Sequence, residues 1–198
     1  MKINCYCGEP LEFDIPLSID LDSTEGVKEA ILDGSFLSKS CPACGKIVKP
    51  EAPVDFLYSP LKKKLRFVPE LERSNFLTAP FSQDITEAVI GYPELIEWIK
   101  IYKHSLDRRV LEIIKYYLLK KTEDPEKISV SFEDLEEGSL VFYLYGLKPD
   151  EVGVSKIPRT AYEKIQKDLQ LLADQTPFCY FLNPPYISVS RISLEKEE

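Results

Sequence analysis

A single histidine, His104, stands in a chain of 198 residues. This argues against a catalytic zinc built on imidazoles, and a His-dependent hydrolase would have to be assembled around this one side chain. The chain also has no glycine-rich phosphate loop, no nucleophile elbow and no Asp/Glu/His grouping at metal-ligand spacing. No apolar run approaches the ~20 residues that span a bilayer. The first five residues lack the charged, apolar and small-residue regions of an export signal, so no membrane association is expected and the cytoplasm is the expected compartment. Positive charge is scarce as well, with 25 Lys and Arg against 33 Asp and Glu and a net charge of −8. Such a field repels a polyanion before local contacts form, so non-specific nucleic-acid binding is not expected.

What is present suits a folded protein. Hydrophobic residues make up 44% and charged residues 29%, spread along the chain. At this length about 70% of the unfolded surface can be buried, in one large domain or two small ones. The pattern predicts an α+β protein in two parts, residues 1–80 and 81–198, which can pack as one continuous domain. The first part is β-rich, with alternation at Leu11, Phe13 and Ile15 and again at Leu65 and Phe67. A short helix interrupts it, with a capping signal at Asp22 and Glu25, one face at Val27, Ala30 and Ile31, and a stop at Gly34. From Pro93, apolar residues recur at helical spacing from Leu95 and Trp98 through Leu106 to Ile114 and Tyr117, which predicts one long helix. Ile128–Phe132 and Leu140–Tyr145 read as a hairpin, Pro158 opens a second helix, and Phe178–Leu182 reads as a strand. The acidic terminus, residues 195–198, reads as a solvated tail.

Five cysteines without an export signal argue for thiols or thiolates. Cys179 stands alone among aromatic residues and reads as core. The other four form two pairs. Cys41 and Cys44 enclose Pro42 and Ala43 and precede Gly45, the spacing of a zinc knuckle: Pro42 sets one backbone angle of the turn, Gly45 accepts positive φ, and turn amides can aim at the Cys41 sulfur. Cys5 and Cys7 enclose only Tyr6, and residues two apart on an extended strand face one side. Thirty-three residues separate Cys7 from Cys41, so the chain must return to close a site. One structural zinc held by Cys5, Cys7, Cys41 and Cys44 is the expected cofactor; metal-free buried thiols and a redox pair are the competing readings.

These motifs, Cys5 to Gly8 and Cys41 to Gly45, together with Val54 to Pro60 and Ser105 to Lys115, resemble those of the CpXC family of bacterial and archaeal proteins. The resemblance implies a zinc-ribbon-like N-terminal part joined to a partner region, with the four cysteines as ligands and no catalytic residue.

Three other groupings are candidates for chemistry. His104 lies opposite the apolar stripe beside Lys100 and Arg108, as on a solvated face. Asp107, Arg108, Arg109 and Glu112 form a charged patch in which Arg108 and Glu112 have ion-pair spacing; it reads as a surface network or a helix-packing contact, and Arg109 as an anchor for a carboxylate across a domain interface is the functional alternative. Lys62, Lys63, Lys64 and Arg66 beside Phe67 read as a lysine-protected edge strand, or as the place where a ribbon would touch nucleic acid. The function expected is a zinc-stabilised interaction or regulatory protein with a protein partner. An enzyme with a site at the junction of the two parts and a nucleic-acid-binding zinc ribbon are the alternatives. The sequence sets no oligomeric state.

Overall fold

The computed structural model describes residues 1–59 and 63–194 and divides the chain into two units, Met1–Ile99 and Lys100–Glu198. Pro60, Lys62 and the acidic terminus lie outside the described residues.

The first unit begins with two small hairpins. β1 (Lys2–Asn4) pairs antiparallel with β2 (Pro10–Glu12). β3 (Ser18–Asp20) and α1 (Val27–Leu32) then lead to the second hairpin, β4 (Lys39–Ser40) and β5 (Ile47–Val48). The short helix sits where its apolar face predicts, with Ile31 buried and Gly34 at positive φ behind it. Its start is different: the N-cap is Gly26 in the left-handed region, with no side-chain cap. Asp22 falls in a preceding turn, where the Thr24 amide bonds the Asp20 carbonyl, so Asp22 and Glu25 come too early to cap.

β6 (Val54–Tyr58), β7 (Lys63–Val68), α2 (Arg73–Thr78), β8 (Glu87–Ile90) and α3 (Gly91–Lys103) complete this part of the chain. The sheet runs β3-β6-β7-β8, with β6 and β7 antiparallel and the outer two pairings parallel. Alternation buries Val54, Phe56, Tyr58, Leu65 and Phe67. Leu95, Trp98 and Ile99 of α3 are buried as well. Tyr58 and Trp98 meet edge to face at 4.8 Å and donate to the two oxygens of Glu87, at 2.7 and 2.9 Å. β7 lies between β6 and β8, so the expected edge strand is interior. Its cations are matched by acids instead: Arg66 pairs with Asp55, its cross-strand partner, and Lys64 with Asp84. The sequence signal of an edge was misleading because the neutralising carboxylates come from other segments.

The second unit holds α4 (Arg108–Leu119), then β9 (Ser129–Glu136), β10 (Ser139–Lys148), β11 (Glu151–Pro158), α5 (Arg159–Ala173) and α6 (Phe178–Phe181). The three strands form an antiparallel sheet in the order β11-β10-β9. One face, with Val130, Phe132, Leu140, Phe142 and Leu144, joins a core with α4, Tyr162 and Leu169 of α5, and Phe178 and Phe181. The predicted hairpin and the helix after Pro158 are both present.

Three expectations are corrected here. The long helix is two helices, because Ser105 takes φ 52° and Asp107 leaves the helical region to cap α4, accepting from the Arg109 amide at 2.9 Å. The hairpin gains a third strand, β11, whose Val152, Val154 and Lys156 share one face while Gly153 interrupts the apolar signal on the other. Phe178–Leu182 forms a single helical turn instead of a strand, which puts Phe178 and Phe181, three residues apart, into one core. A five-residue apolar run does not reveal its period.

Candidate metal centre

Both cysteine pairs occupy hairpin tips. In the second, the Cys41 amide donates to the Lys46 carbonyl and the Gly45 amide to the Cys41 carbonyl, each at 2.8 Å, and Gly45 takes φ 73°. The first tip repeats this pattern one residue shorter: the Cys5 amide donates to Glu9 and the Gly8 amide to Cys5, again at 2.8 Å, with Gly8 at φ 92°. Tyr6 and Cys7 therefore lie in a turn, and the expected extended geometry of this pair is replaced by a compressed knuckle. Deleting one residue between the sulfurs is tolerated because the glycine still closes the loop with positive φ.

The tips face each other. The four Sγ atoms lie within 4.8 Å of one another. Cys5 and Cys44 are 3.6 Å apart, as are Cys7 and Cys41, and each of these contacts crosses between the hairpins. A tetrahedral zinc with Zn–S bonds of about 2.3 Å requires sulfur separations of about 3.8 Å, so the donor set fits such an ion in number, type and spacing. Four sulfurs without nitrogen or oxygen select soft or borderline metals over magnesium or calcium. Cys5 and Cys41 are buried with Leu11 and Phe13 in a small apolar cluster flanked by Ile3, Ile15 and Val48, while Cys7 and Cys44 are exposed. The Lys39 ammonium, over the Phe13 ring at 5.3 Å, adds a contact between the hairpins.

The electrostatics of the tip favour one anion first. Burial opposes ionisation of Cys41, but the Cys44 and Ala43 amides and the Cys7 and Cys44 thiols outweigh it and bring this thiol down to about 7. The Lys46 amide favours the Cys44 thiolate, yet the Cys7 thiol, burial, and Cys5 and Cys41 together push it up to about 12. With no cation present, four crowded sulfurs cannot all ionise; a divalent ion removes that conflict.

Of the remaining candidates, His104 is placed differently from the expectation. His104 is half-buried rather than on an open face: its Nε2 lies 2.6 Å from Asp134 Oδ1 and its ring stands edge-on to Phe132. Arg109 is held by its neighbour Asp107 at 2.7 Å and is not a buried anchor. The buried charges on α4 are Arg108, Glu112 and Lys115. Glu112 accepts from Lys115 Nζ at 2.8 Å and from the Val189 amide at 2.7 Å. Lys115 escaped sequence reasoning, although its position three residues after Glu112 on an otherwise apolar helix was a readable signal. Cys179 is partly buried on α6 and is not one of the four clustered sulfurs.

A mixed α+β chain whose two hairpin knuckles gather four thiols defines a two-knuckle cysteine-cluster protein. The chain belongs to the CpXC family: the family described as CpXC protein matches residues 3–115, more than half of the sequence and both knuckles. An uncharacterized protein of Treponema pallidum (strain Nichols) is similar to it, with 26% identity over 191 residues covering 85% of this chain and 88% of that protein. No solved structure matches it significantly. No helix among the described residues is long and apolar enough to cross a membrane.

Proposed function

We propose that Cys5, Cys7, Cys41 and Cys44 hold one structural zinc ion and that the protein is a zinc-stabilised interaction or regulatory module. The observation that carries this reading is the convergence of four sulfurs from two distant hairpins to within 4.8 Å. When bound, zinc would neutralise the thiolates and tie the two tips together; the chain's own residues supply the closed, all-sulfur shell that leaves no open position for substrate. Surfaces that suit a protein partner are present in both units. Tyr6, 94% exposed, projects from the first knuckle. Tyr145, Val152 and Val154 are exposed on β10 and β11, on the side of the sheet away from its core. The basic segment lends little to a nucleic-acid role, since Lys64 and Arg66 are engaged by Asp84 and Asp55.

Elemental analysis of freshly purified protein is expected to give one zinc per chain, and Cys41→Ser is expected to lose it. Zinc-finger peptides gain ~10 to 16 kcal/mol from the metal at neutral pH, so the variant should lose folded structure in the first unit. Protein isolated without metal, whose stability does not respond to added zinc, would overturn the reading.

A further inference from the structure

Two sulfur contacts that cross between the knuckles, each at 3.6 Å, share a property that a structural site does not need. Each joins a buried cysteine of one knuckle to an exposed cysteine of the other: Cys5 to Cys44, and Cys41 to Cys7. An oxidant arriving from solvent meets Cys7 and Cys44 first, and a second sulfur waits 3.6 Å behind each. We propose that the cluster is an oxidation switch, in which a peroxide converts the four thiols into two disulfides that cross between the knuckles, Cys5–Cys44 and Cys7–Cys41. The release of metal that accompanies this step rests on the zinc reading above; the disulfide pattern does not.

The chemistry balances with the peroxide as sole oxidant. In each facing pair one sulfur, as its thiolate, attacks one peroxide oxygen, the O–O bond breaks, and a sulfenic acid forms while the departing hydroxide takes a proton to become water. The facing sulfur, giving up its own proton, then attacks that sulfenic sulfur, forming the S–S bond and expelling the sulfenic oxygen as hydroxide, which is protonated to a second water. Each pair of sulfurs gives two electrons to one peroxide. A disulfide needs its sulfurs about 2.05 Å apart, so each facing pair must close by about 1.5 Å, a shift within reach of side chains at the tips of two short turns. Disulfides across the knuckles would replace the metal as the link between the hairpins, so the oxidised form should keep them together without it.

The test uses the full-length protein as purified, with its metal content measured first. Hydrogen peroxide is added with a chromogenic zinc chelator, remaining thiols are alkylated at intervals, and linkages are mapped by fragmentation mass spectrometry. Expected are loss of the four clustered thiols about tenfold faster than alkylatable Cys179, zinc appearing in step, a predominance of the Cys5–Cys44 and Cys7–Cys41 links, and recovery with a thiol reductant and zinc. Cys7→Ser should still form Cys5–Cys44. The proposal is overturned if the cluster reacts no faster than Cys179, if links within a knuckle predominate, or if sulfinic and sulfonic acids form instead of disulfides. Absence of metal at the outset defeats the zinc reading alone, since the linkage pattern still decides this one.

Discussion

Glu112 is the residue on which the second unit concentrates its charge. Its carboxylate, 2% exposed, is shared between the Lys115 ammonium on the same helix and the Val189 amide from a segment 77 residues away. Glu112→Ala removes the acceptor that the Val189 amide and the Lys115 ammonium share, and the loss of one partner of a buried ion pair costs about 3 kcal/mol or more. Urea unfolding should show that loss in the second unit. Replacing both charges with methionine should recover only part of that loss, since the ion pair's own net contribution is small once its desolvation is counted but the Val189 amide still lacks its acceptor, at a cost of about 1 to 3 kcal/mol. In the sequence this residue is visible only as a charge with ion-pair spacing to Arg108. Its depth is not, because a polar residue on a helix reads as solvent-facing until the covering segment, here the one around Val189, is known. The burial of His104 is hidden in the sequence for the same reason: Asp134 and Phe132 reach it from a strand the helical pattern says nothing about.

The break between α3 and α4 is the element-scale feature that apolar periodicity concealed. Leu106 and Val110 stay near the phase of one helix, yet Ser105 turns left-handed and Asp107 starts a new helix. The cap is doubly supported, since the Asp107 amide donates to the Tyr162 hydroxyl of α5 at 2.8 Å while its carboxylate takes the Arg109 amide. Asp107→Ala is expected to cost about 1 kcal/mol, and Asp107→Ser much less, because serine restores an acceptor at the cap. Equal losses for the two variants in thermal melts would show that the cap carries no stability. The sequence contains the signal, Ser105 and Asp107 on either side of Leu106 in a largely polar interruption, but an apolar stripe that resumes on nearly the same phase outweighs it. Strand β11 was hidden by the opposite fault, a glycine in place of an apolar residue at Gly153.

At the scale of the whole molecule, the α+β class and the four cysteines were legible because composition and spacing survive without knowledge of contacts. The closure of the site was not: a shortened first motif reads as poor geometry until Gly8 is seen to close the same hydrogen-bonded loop as Gly45. The four sulfurs all lie in the first unit, whereas the second has a continuous apolar core of its own, from Val110 and Ile113 through Phe132 and Phe142 to Phe181. Stability that depends on a metal should therefore be confined to one part of the chain. Zinc that binds the folded hairpins and not the unfolded chain raises only the free energy of the unit containing them. Adding a strong chelator to zinc-loaded protein is expected to split one melting transition into two, the earlier belonging to residues 1–99 and the later unmoved. Amide exchange read per peptide assigns the transitions: protection lost across Ile3 to Val48 but kept across Val110 to Leu119 and Leu140 to Leu144 fits this division. Uniform loss along the chain would mean that the two units melt as one and that the cysteine cluster governs the whole molecule.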